Sequence, residues 1–362
     1  MVTVLHAADF HLDSAFTGLS SRQAVERRAQ SRQTVARLVD YGNDHGADLL
    51  LLAGDLFDSD DLYGQTAGEL AKALGEFRGQ VVIAPGNHDC YSAKSAWCVQ
   101  TWPENVHIFT DDSLTHFDFP EYGCRVYGAA FTAAEHRQGD TLADFTAKAD
   151  LVNIGLLHGE VGAKNSRYRP ISLGEIRSSG LTYLALGHVH ACSGLQKAGN
   201  TVWAYPGCLE GRGFDETGEK GFLFGTVARG EVRLQFVPFS QQRYEVLTVD
   251  VTDRTPLEAI EDRLPRDATK DIYRIVLTGE TEQSIHTEEL SRQLEGRFFA
   301  VELRDKTTLR QDIWARQDED SLRGLFLREM REKYETAADD ENRQKVVLAV
   351  RFGLHAMDNR EM

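Results

Sequence analysis

Apolar and polar positions along the first 240 residues alternate in a way that predicts short strands separated by helices. The segment 49–53 is apolar at every position, which is typical of a strand covered on both faces. Further strands are predicted at 2–8, 81–84, 152–157, 182–186 and 231–239. Helical periodicity predicts helices at 22–46 and 65–77. The pattern therefore predicts an α/β fold in which two sheet layers lie between helices.

The first predicted helix has one apolar stripe, and we expect this stripe to be buried: Val25, Ala29, Val35, Leu38 and Val39. His6 lies inside the first strand, where a structural role is simpler than a role in a site.

The pattern changes near residue 240. Strands at 244–251, 272–277 and 298–303, with helices at 256–264 and 282–294, predict a compact α/β unit. Two helices follow, the first after Ser321 and the second after Asp340. We therefore expect a main domain at 1–240, a small α/β domain at 241–308 and a helical segment at 309–362. The apolar stripes of the last two helices could bind a partner or could equally close an internal helical hairpin.

Oxygen and imidazole side chains follow five of the predicted strands. Because the carboxyl ends of parallel strands meet at one edge of a sheet, these side chains are candidates for a single metal centre. The candidate ligands are Asp9, His11, Asp55, Asn87, His158, His188 and His190. Residues i and i+2 of an extended chain point the same way, so Asp9 can act with His11, and His188 with His190.

The ligand types suit two adjacent divalent cations that hold a phosphate ester for in-line attack by hydroxide. One cation would take Asp9, His11, Asp55 and His190, and the other Asp55, Asn87, His158 and His188, with Asp55 bridging. A set without thiolate suits Mn²⁺, with Mg²⁺, Fe²⁺ or Zn²⁺ as alternatives.

His88 is left over beside Asn87, and we assign it to protonating the leaving oxygen. Asp89 joins it as a catalytic candidate, because either Asp89 or Asp58 could orient an imidazole. For Asp58, a role as a helix or turn cap is an equal alternative.

The chain of 362 residues has a formal net charge of -16, which argues against a protein that coats nucleic acid through its overall field. A nuclease is not excluded, since bound cations change the field where the phosphate lies. No apolar run approaches the length of a membrane span. The five cysteines have no CxxC spacing, and no secretion signal is recognisable, so a cytoplasmic location is expected.

As a set, these motifs resemble the calcineurin-like metallophosphoesterase superfamily. Segments 8–12, 54–58, 85–89, 186–190 and 205–214 look like those of the SbcD-type DNA repair exonucleases. The resemblance implies a four-layer α/β/β/α sandwich with a small α/β capping domain, and Mn²⁺-dependent cleavage of DNA. It also implies 3′ to 5′ exonuclease and single-strand endonuclease action, a homodimer, and an SMC-like ATPase partner of the SbcC type.

Basic side chains beside an aromatic ring could hold DNA, and Arg167, Tyr168 and Arg169 share one loop after His158. Arg212, in a Gly-rich stretch, is a comparable candidate for phosphate binding. A solvated loop is the equal alternative for the first group. Two activities stay open on this core: a DNA nuclease, or a phosphodiesterase or nucleotidase for small substrates, which the acidic charge favours mildly.

Overall fold

The computed structural model describes residues 1–59, 65–148, 150–281, 283–309 and 313–357. Strands and helices alternate over the first part of the chain: β1 (Val2–Ala7), α1 (Ser21–Asp44), β2 (Leu49–Leu52), α2 (Thr66–Gly75), β3 (Gln80–Ile83), α3 (Ala96–Val99) and β4 (Val106–Ile108). Strands β1 to β4 run parallel to one another, β1 beside β2, β2 beside β3 and β3 beside β4. The elements predicted here are therefore present within a few residues of their expected bounds.

A second group of strands follows: β5 (Thr115–Phe119), β6 (Cys124–Gly128), β7 (Val152–His158), β8 (Glu160–Val161), β9 (Pro170–Ile171), α4 (Leu173–Ser178), β10 (Tyr183–Gly187), β11 (Gln196–Ala198), β12 (Thr201–Ala204), β13 (Gly221–Ala228) and β14 (Glu231–Pro238). A short 3-10 helix, Pro120–Tyr122, lies between β5 and β6. Two six-stranded sheets result, with the orders β14-β13-β1-β2-β3-β4 and β11-β12-β10-β7-β6-β5. The pair β8 and β9 stands apart as a two-stranded ribbon.

Alternate residues of the central strands face different layers. Val4, Leu49 and Leu51 pack with Ile154 and Leu156 of the second sheet. Their neighbours along β1 and β2 pack against the helices, as Leu50 and Leu52 do with Val35, Leu38 and Leu74. On the far side of the second sheet, Leu184 and Leu186 pack with Ile176 of α4. The fold is therefore the predicted four-layer α/β/β/α sandwich.

Helix α1 differs from its predicted stripe. Val35, Leu38 and Val39 are buried as expected, but Val25 is 59% exposed. In its place the first half of the helix buries Arg27, which donates to the Glu210 carboxylate at 3.2 Å and to the Gly211 carbonyl at 3.1 Å. The first half of α1 thus packs against a polar loop that is distant in sequence, and the pattern of apolar positions cannot predict such a contact.

The later part of the chain contains β15 (Tyr244–Asp250), α5 (Pro256–Glu261), β16 (Ile272–Thr278), β17 (Glu280–Thr281), α6 (Thr287–Gln293), β18 (Ala300–Asp305), β19 (Thr308–Leu309), α7 (Leu322–Glu335) and α8 (Asp340–Met357). Strands β15, β16 and β18 form a three-stranded sheet, and β17 pairs with β19. The helix predicted from residue 282 begins at Thr287, and Glu282 itself lies outside the described residues.

The chain divides into two compact units. The first contains Met1–Leu247, Leu264–Ile275 and Leu294–Glu302, and the second contains Thr248–Arg263, Val276–Gln293 and Leu303–Met362. This division differs from the predicted one, because the C-terminal helices belong with segments of the small α/β region. Residues 310–312 and 358–362 of the predicted helical segment lie outside the described residues.

Helices α7 and α8 pack against each other, with the Phe326 ring in close contact with Gly353. Leu327 and Val350 are fully buried, whereas Leu322 and Leu325 of the predicted stripe are 74% and 52% exposed. Packing of α7 against α8 therefore buries part of the apolar stripes of these two helices but leaves Leu322 and Leu325 exposed. Among the described residues, no helix combines the length and apolar character that a membrane crossing requires.

Candidate metal centre

The seven predicted ligands lie at the carboxyl ends of five strands. Asp9 and His11 follow β1, Asp55 follows β2 and Asn87 follows β3, all in the first sheet. In the second sheet, His158 ends β7, and His188 and His190 follow β10. The structure brings all seven side chains into one cluster.

One group of ligand atoms contains Asp9, His11 and His190, whose donor atoms lie within 4.8 Å of one another. The Nε2 atoms of His11 and His190 are 3.3 Å apart, and the His190 Nε2 is 3.8 Å from Asp9 Oδ1. Three donors that converge this closely from separate strands form an arrangement in which a cation could be bound.

A second group contains Asp55, His158 and His188. Asn87 Oδ1 joins it, at 3.0 Å from His158 Nε2 and 3.2 Å from His188 Nδ1. Asp55 Oδ2 lies 3.3 Å from His158 Nε2 and 3.8 Å from His11 Nε2 of the first group. Asp55 thus stands between the two groups, where a bridging carboxylate is required.

A metal-binding histidine usually has an oxygen beside the ring nitrogen that does not bind the metal. We therefore ask what lies beside Nδ1 of His158, His190 and His11. His158 Nδ1 donates to the Ala53 carbonyl at 2.8 Å. His190 Nδ1 lies 2.7 Å from Glu216 Oε1, and His11 Nδ1 lies 3.1 Å from Asp58 Oδ1. An oxygen lies beside Nδ1 of all three rings, by a hydrogen bond in His158 and at ion-pair distance in His190 and His11, and Nε2 is left directed into the cluster, which is the usual arrangement of metal-binding histidines. The residues present therefore fit two divalent cations.

Burial and mutual charge set the protonation of the cluster. Burial would raise the pKa of Asp55, but the charges of His158 and His11 more than offset it, and the pKa lies below its ordinary value. Burial alone would lower the pKa of His158, but the negative charges of Asp55 and Asp9 outweigh this effect and raise the pKa to about 9. Burial lowers the pKa of His11 and of His188 to about 4. A cation in the second group would therefore displace a proton from His158.

The backbone around the ligands is held in an unusual conformation. Asp9, His11, Asp55 and His188 have φ angles of 54°, 44°, 51° and 105°. Asp9 and His11 face the same cluster, as predicted. The prediction assumed an extended chain, however, and the positive φ angles show that the chain is not extended here. A side chain on Gly86 would collide with the Asp55 carboxylate, which explains the glycine before Asn87.

His88 is exposed beside this cluster, with its ring centroid 4.9 Å from that of His11. Its Nδ1 donates to the Asp58 carbonyl at 2.9 Å, and its backbone N–H donates to Asp55 Oδ1 at 2.9 Å. The geometry leaves Nε2 as the nitrogen that can meet a substrate.

Asp89 has a different task from the one predicted. Its buried carboxylate accepts the backbone N–H groups of Gly86 at 2.7 Å and Leu56 at 2.8 Å, and those of Asp55 and Phe57 at 3.3 Å each. It therefore ties the two ligand loops together and does not orient an imidazole. Asp58, the alternative, lies against His11.

The three predicted DNA-binding arginines are all engaged by the protein. Arg169 is fully buried and donates to the carbonyls of Ala129 at 3.2 Å and Ala130 at 2.6 Å, so its predicted contact with DNA is wrong. The Arg167 side chain is 56% exposed and pairs with Glu135 at 3.0 Å. Arg212 pairs with Asp58 at 3.0 Å and with Glu216 at 2.7 Å.

Sequence reasoning missed Glu216. It lies in a stretch with several acidic residues, among them Glu210 and Asp215, and no spacing distinguishes it from them. Tyr168, named as a stacking candidate, has its ring 4.8 Å from that of His188, at the border of the cluster.

The chain is similar in sequence to known phosphoesterases. Residues 2–192 match the sequence profile of the calcineurin-like phosphoesterases. An uncharacterized metallophosphoesterase, YhaO of Bacillus subtilis, is 30% identical over 297 residues, covering 77% of this chain and 72% of that protein. The DNA double-strand break repair protein Mre11 of Methanopyrus kandleri is 27% identical over 300 residues, covering 72% of this chain and 62% of Mre11.

Among solved structures, a dimetal phosphatase from Danio rerio is similar with a TM-score of 0.42 and 11% identity. The similarity covers 66% of this chain and 99% of that structure.

Proposed function

The chain belongs to the calcineurin-like phosphoesterase family and hydrolyses phosphoesters, and from this premise we propose that its substrate is the phosphodiester backbone of DNA. The observation that carries the proposal is the likeness to a DNA double-strand break repair protein over 72% of the chain. This share is too large to lie within residues 2–192 alone, so the likeness extends beyond the part common to the family. The expected actions are 3′ to 5′ exonuclease and single-strand endonuclease cleavage.

Two bound divalent cations, with Mn²⁺ the best match to oxygen and imidazole ligands, would acidify a water molecule and offset the phosphate charge. The chain supplies the proton for the other half of the reaction. His88 holds Nδ1–H on the Asp58 carbonyl, so its imidazolium presents the Nε2 proton to the substrate. Water adds to phosphorus and releases one proton to the solvent, the bond from phosphorus to the leaving sugar oxygen breaks, and that oxygen takes the Nε2 proton, which His88 regains from the solvent.

The leaving group tests this assignment. His88→Gln should lower the rate of DNA hydrolysis by about 100-fold to 10,000-fold, the usual contribution of general acid catalysis. A nitrophenyl phosphodiester should lose much less, because its leaving group departs without a proton. His116→Gln is the control, since His116 is 44% exposed on β5 and outside the cluster. Equal losses on both substrates, with metal content retained, would remove the acid role from His88.

A second candidate function is hydrolysis of a small phosphodiester or nucleotide. It is favoured by the net charge of -16 and by the engagement of Arg167, Arg169 and Arg212 with protein groups. Purified protein with Mn²⁺ should be given linear duplex DNA, single-stranded DNA and cyclic nucleotides at equal phosphate concentration. Cleavage confined to the small substrates would refute the nuclease proposal and support the second function.

We also propose that the nuclease acts as a homodimer with an SMC-like ATPase. The proposal is supported by the resemblance of the motifs and by the apolar residues Leu322 and Leu325, which the α7–α8 pair leaves exposed. Size measurement by light scattering tests the dimer. Copurification with a coiled-coil ATPase encoded beside the gene, and its loss in Leu322→Glu, tests the partner.

A further inference from the structure

The Gly-rich stretch 206–221 follows the metal cluster in sequence, and its contacts converge on one ligand. The His190 carbonyl accepts from the Cys208 backbone N–H at 3.3 Å and from Lys220 Nζ at 3.3 Å. The His190 ring meets Glu216, whose side chain is only 4% exposed. The stretch therefore holds both the backbone and the ring of His190.

A single guanidinium connects this stretch to a second ligand. Arg212 donates from Nη2 to Glu216 Oε1 at 2.7 Å and from Nη1 to Asp58 Oδ1 at 3.0 Å. The Arg212 backbone N–H also donates to Glu216 Oε2 at 2.8 Å. Because Asp58 lies against His11 and Glu216 against His190, Arg212 fixes the carboxylates behind two histidines of the same ligand group.

The two ligand groups are supported differently. In the group of Asp9, His11 and His190, a carboxylate lies within ion-pair distance of Nδ1 of both rings, whereas His158 of the other group donates to the neutral carbonyl of Ala53. A carboxylate fixes the tautomer of a ligand imidazole and makes it more basic. Arg212 thus contacts the carboxylates beside His11 and His190, and both of these histidines belong to the same cation site.

We propose that Glu216, clamped by Arg212, is a positioning residue that selectively strengthens the cation site formed by Asp9, His11, Asp55 and His190. Glu216 Oε1 at 2.7 Å and Arg212 Nη2 at 3.2 Å both lie beside His190 Nδ1, and together they keep the ring turned so that Nε2 is directed at the cation. This inference rests on the proposed two-cation centre and is independent of which phosphodiester the enzyme cleaves.

Metal titration tests the proposal without substrate. Mn²⁺ is added to metal-free protein, and the free ion is measured by its six-line electron paramagnetic resonance signal. The wild type is expected to bind two ions per chain. Glu216→Gln should bind one ion as the wild type does and the other about 10-fold to 100-fold more weakly, the usual effect of losing such a partner.

Glu231→Gln is the matched control, because Glu231 forms an exposed ion pair with Arg233 on β14 and should leave both affinities unchanged. If Glu216→Gln fails to fold by circular dichroism, Arg212→Gln removes the clamp and leaves the carboxylate in place, and it should weaken the same single site. Unchanged binding of both ions in the folded variant overturns the proposal, as does equal weakening of both.

The same titration separates this inference from the proposed function. A wild type that binds two ions but does not cleave DNA would refute the nuclease and leave the positioning role intact. A wild type that binds no Mn²⁺ would refute both.

Discussion

Asp89→Asn is the substitution that best separates a structural role from a chemical one at this centre. Each carboxylate oxygen accepts two backbone N–H groups, one at short and one at long distance. The amide nitrogen of asparagine would face two of these donors and accept from neither. One short charge-assisted hydrogen bond is lost, which contributes about 2 kcal/mol, and a buried N–H without an acceptor costs about 2 kcal/mol more. Removal of the buried negative charge offsets part of this, because burial and Asp55 raise the pKa of Asp89 and so disfavour its ionised form in the folded state. We therefore expect a net loss of about 1–2 kcal/mol in the free energy of unfolding.

Urea unfolding of the metal-free protein at about pH 8 measures this loss. Burial and the charge of Asp55 raise the pKa of Asp89 to about 7, so the higher pH ensures that the wild-type carboxylate is ionised. Asp40→Asn, on the exposed face of α1, is the control and should change stability by less than about 0.5 kcal/mol. A variant as stable as the control that nevertheless loses activity would refute the structural role and restore the catalytic one.

Two further predictions concern buried basic side chains, His6 and Arg169. Burial lowers the pKa of His6 from 6.5 to about 3, so below pH 6.5 the unfolded chain binds a proton that the folded chain does not, and stability falls as pH falls. Urea unfolding should show this slope, about 1.4 kcal/mol per pH unit, reduced in His6→Gln and kept in Tyr183→Phe; a wild-type slope in His6→Gln would contradict it. Arg169→Met should destabilise the protein by about 2–4 kcal/mol, since the carbonyls of Ala129 and Ala130 lose their donor, whereas Arg167→Met should cost less than about 0.5 kcal/mol. Equal thermal stability of these two variants would show that the buried guanidinium is dispensable.

The sequence predicts best what depends on neighbouring residues. The strand β2 is a continuous apolar run and is fully buried, and the ligands directly after β1, β2 and β3 could be named because strand ends meet at one edge. Ser321, expected at a helix start, caps α7 by accepting the Gly324 N–H.

Predictions fail where a partner is distant in sequence. Arg27 is buried because Glu210 lies opposite it, and Glu216 matters because the fold brings it to His190. The same holds for Arg169, which resembles a DNA-binding residue until the carbonyls of Ala129 and Ala130 are seen around it. Neither periodicity nor motif spacing contains these pairings, since each depends on the completed tertiary structure.

The left-handed backbone at Asp9, His11, Asp55 and His188 has a consequence for how such a protein can change over generations. Each of these conformations costs on the order of 1–3 kcal/mol for a residue that carries a side chain. A descendant freed from metal binding would gain stability by acquiring glycine at these four positions. Glycine at any of these positions would also remove a ligand side chain, so the backbone strain and the metal centre cannot be separated by a substitution.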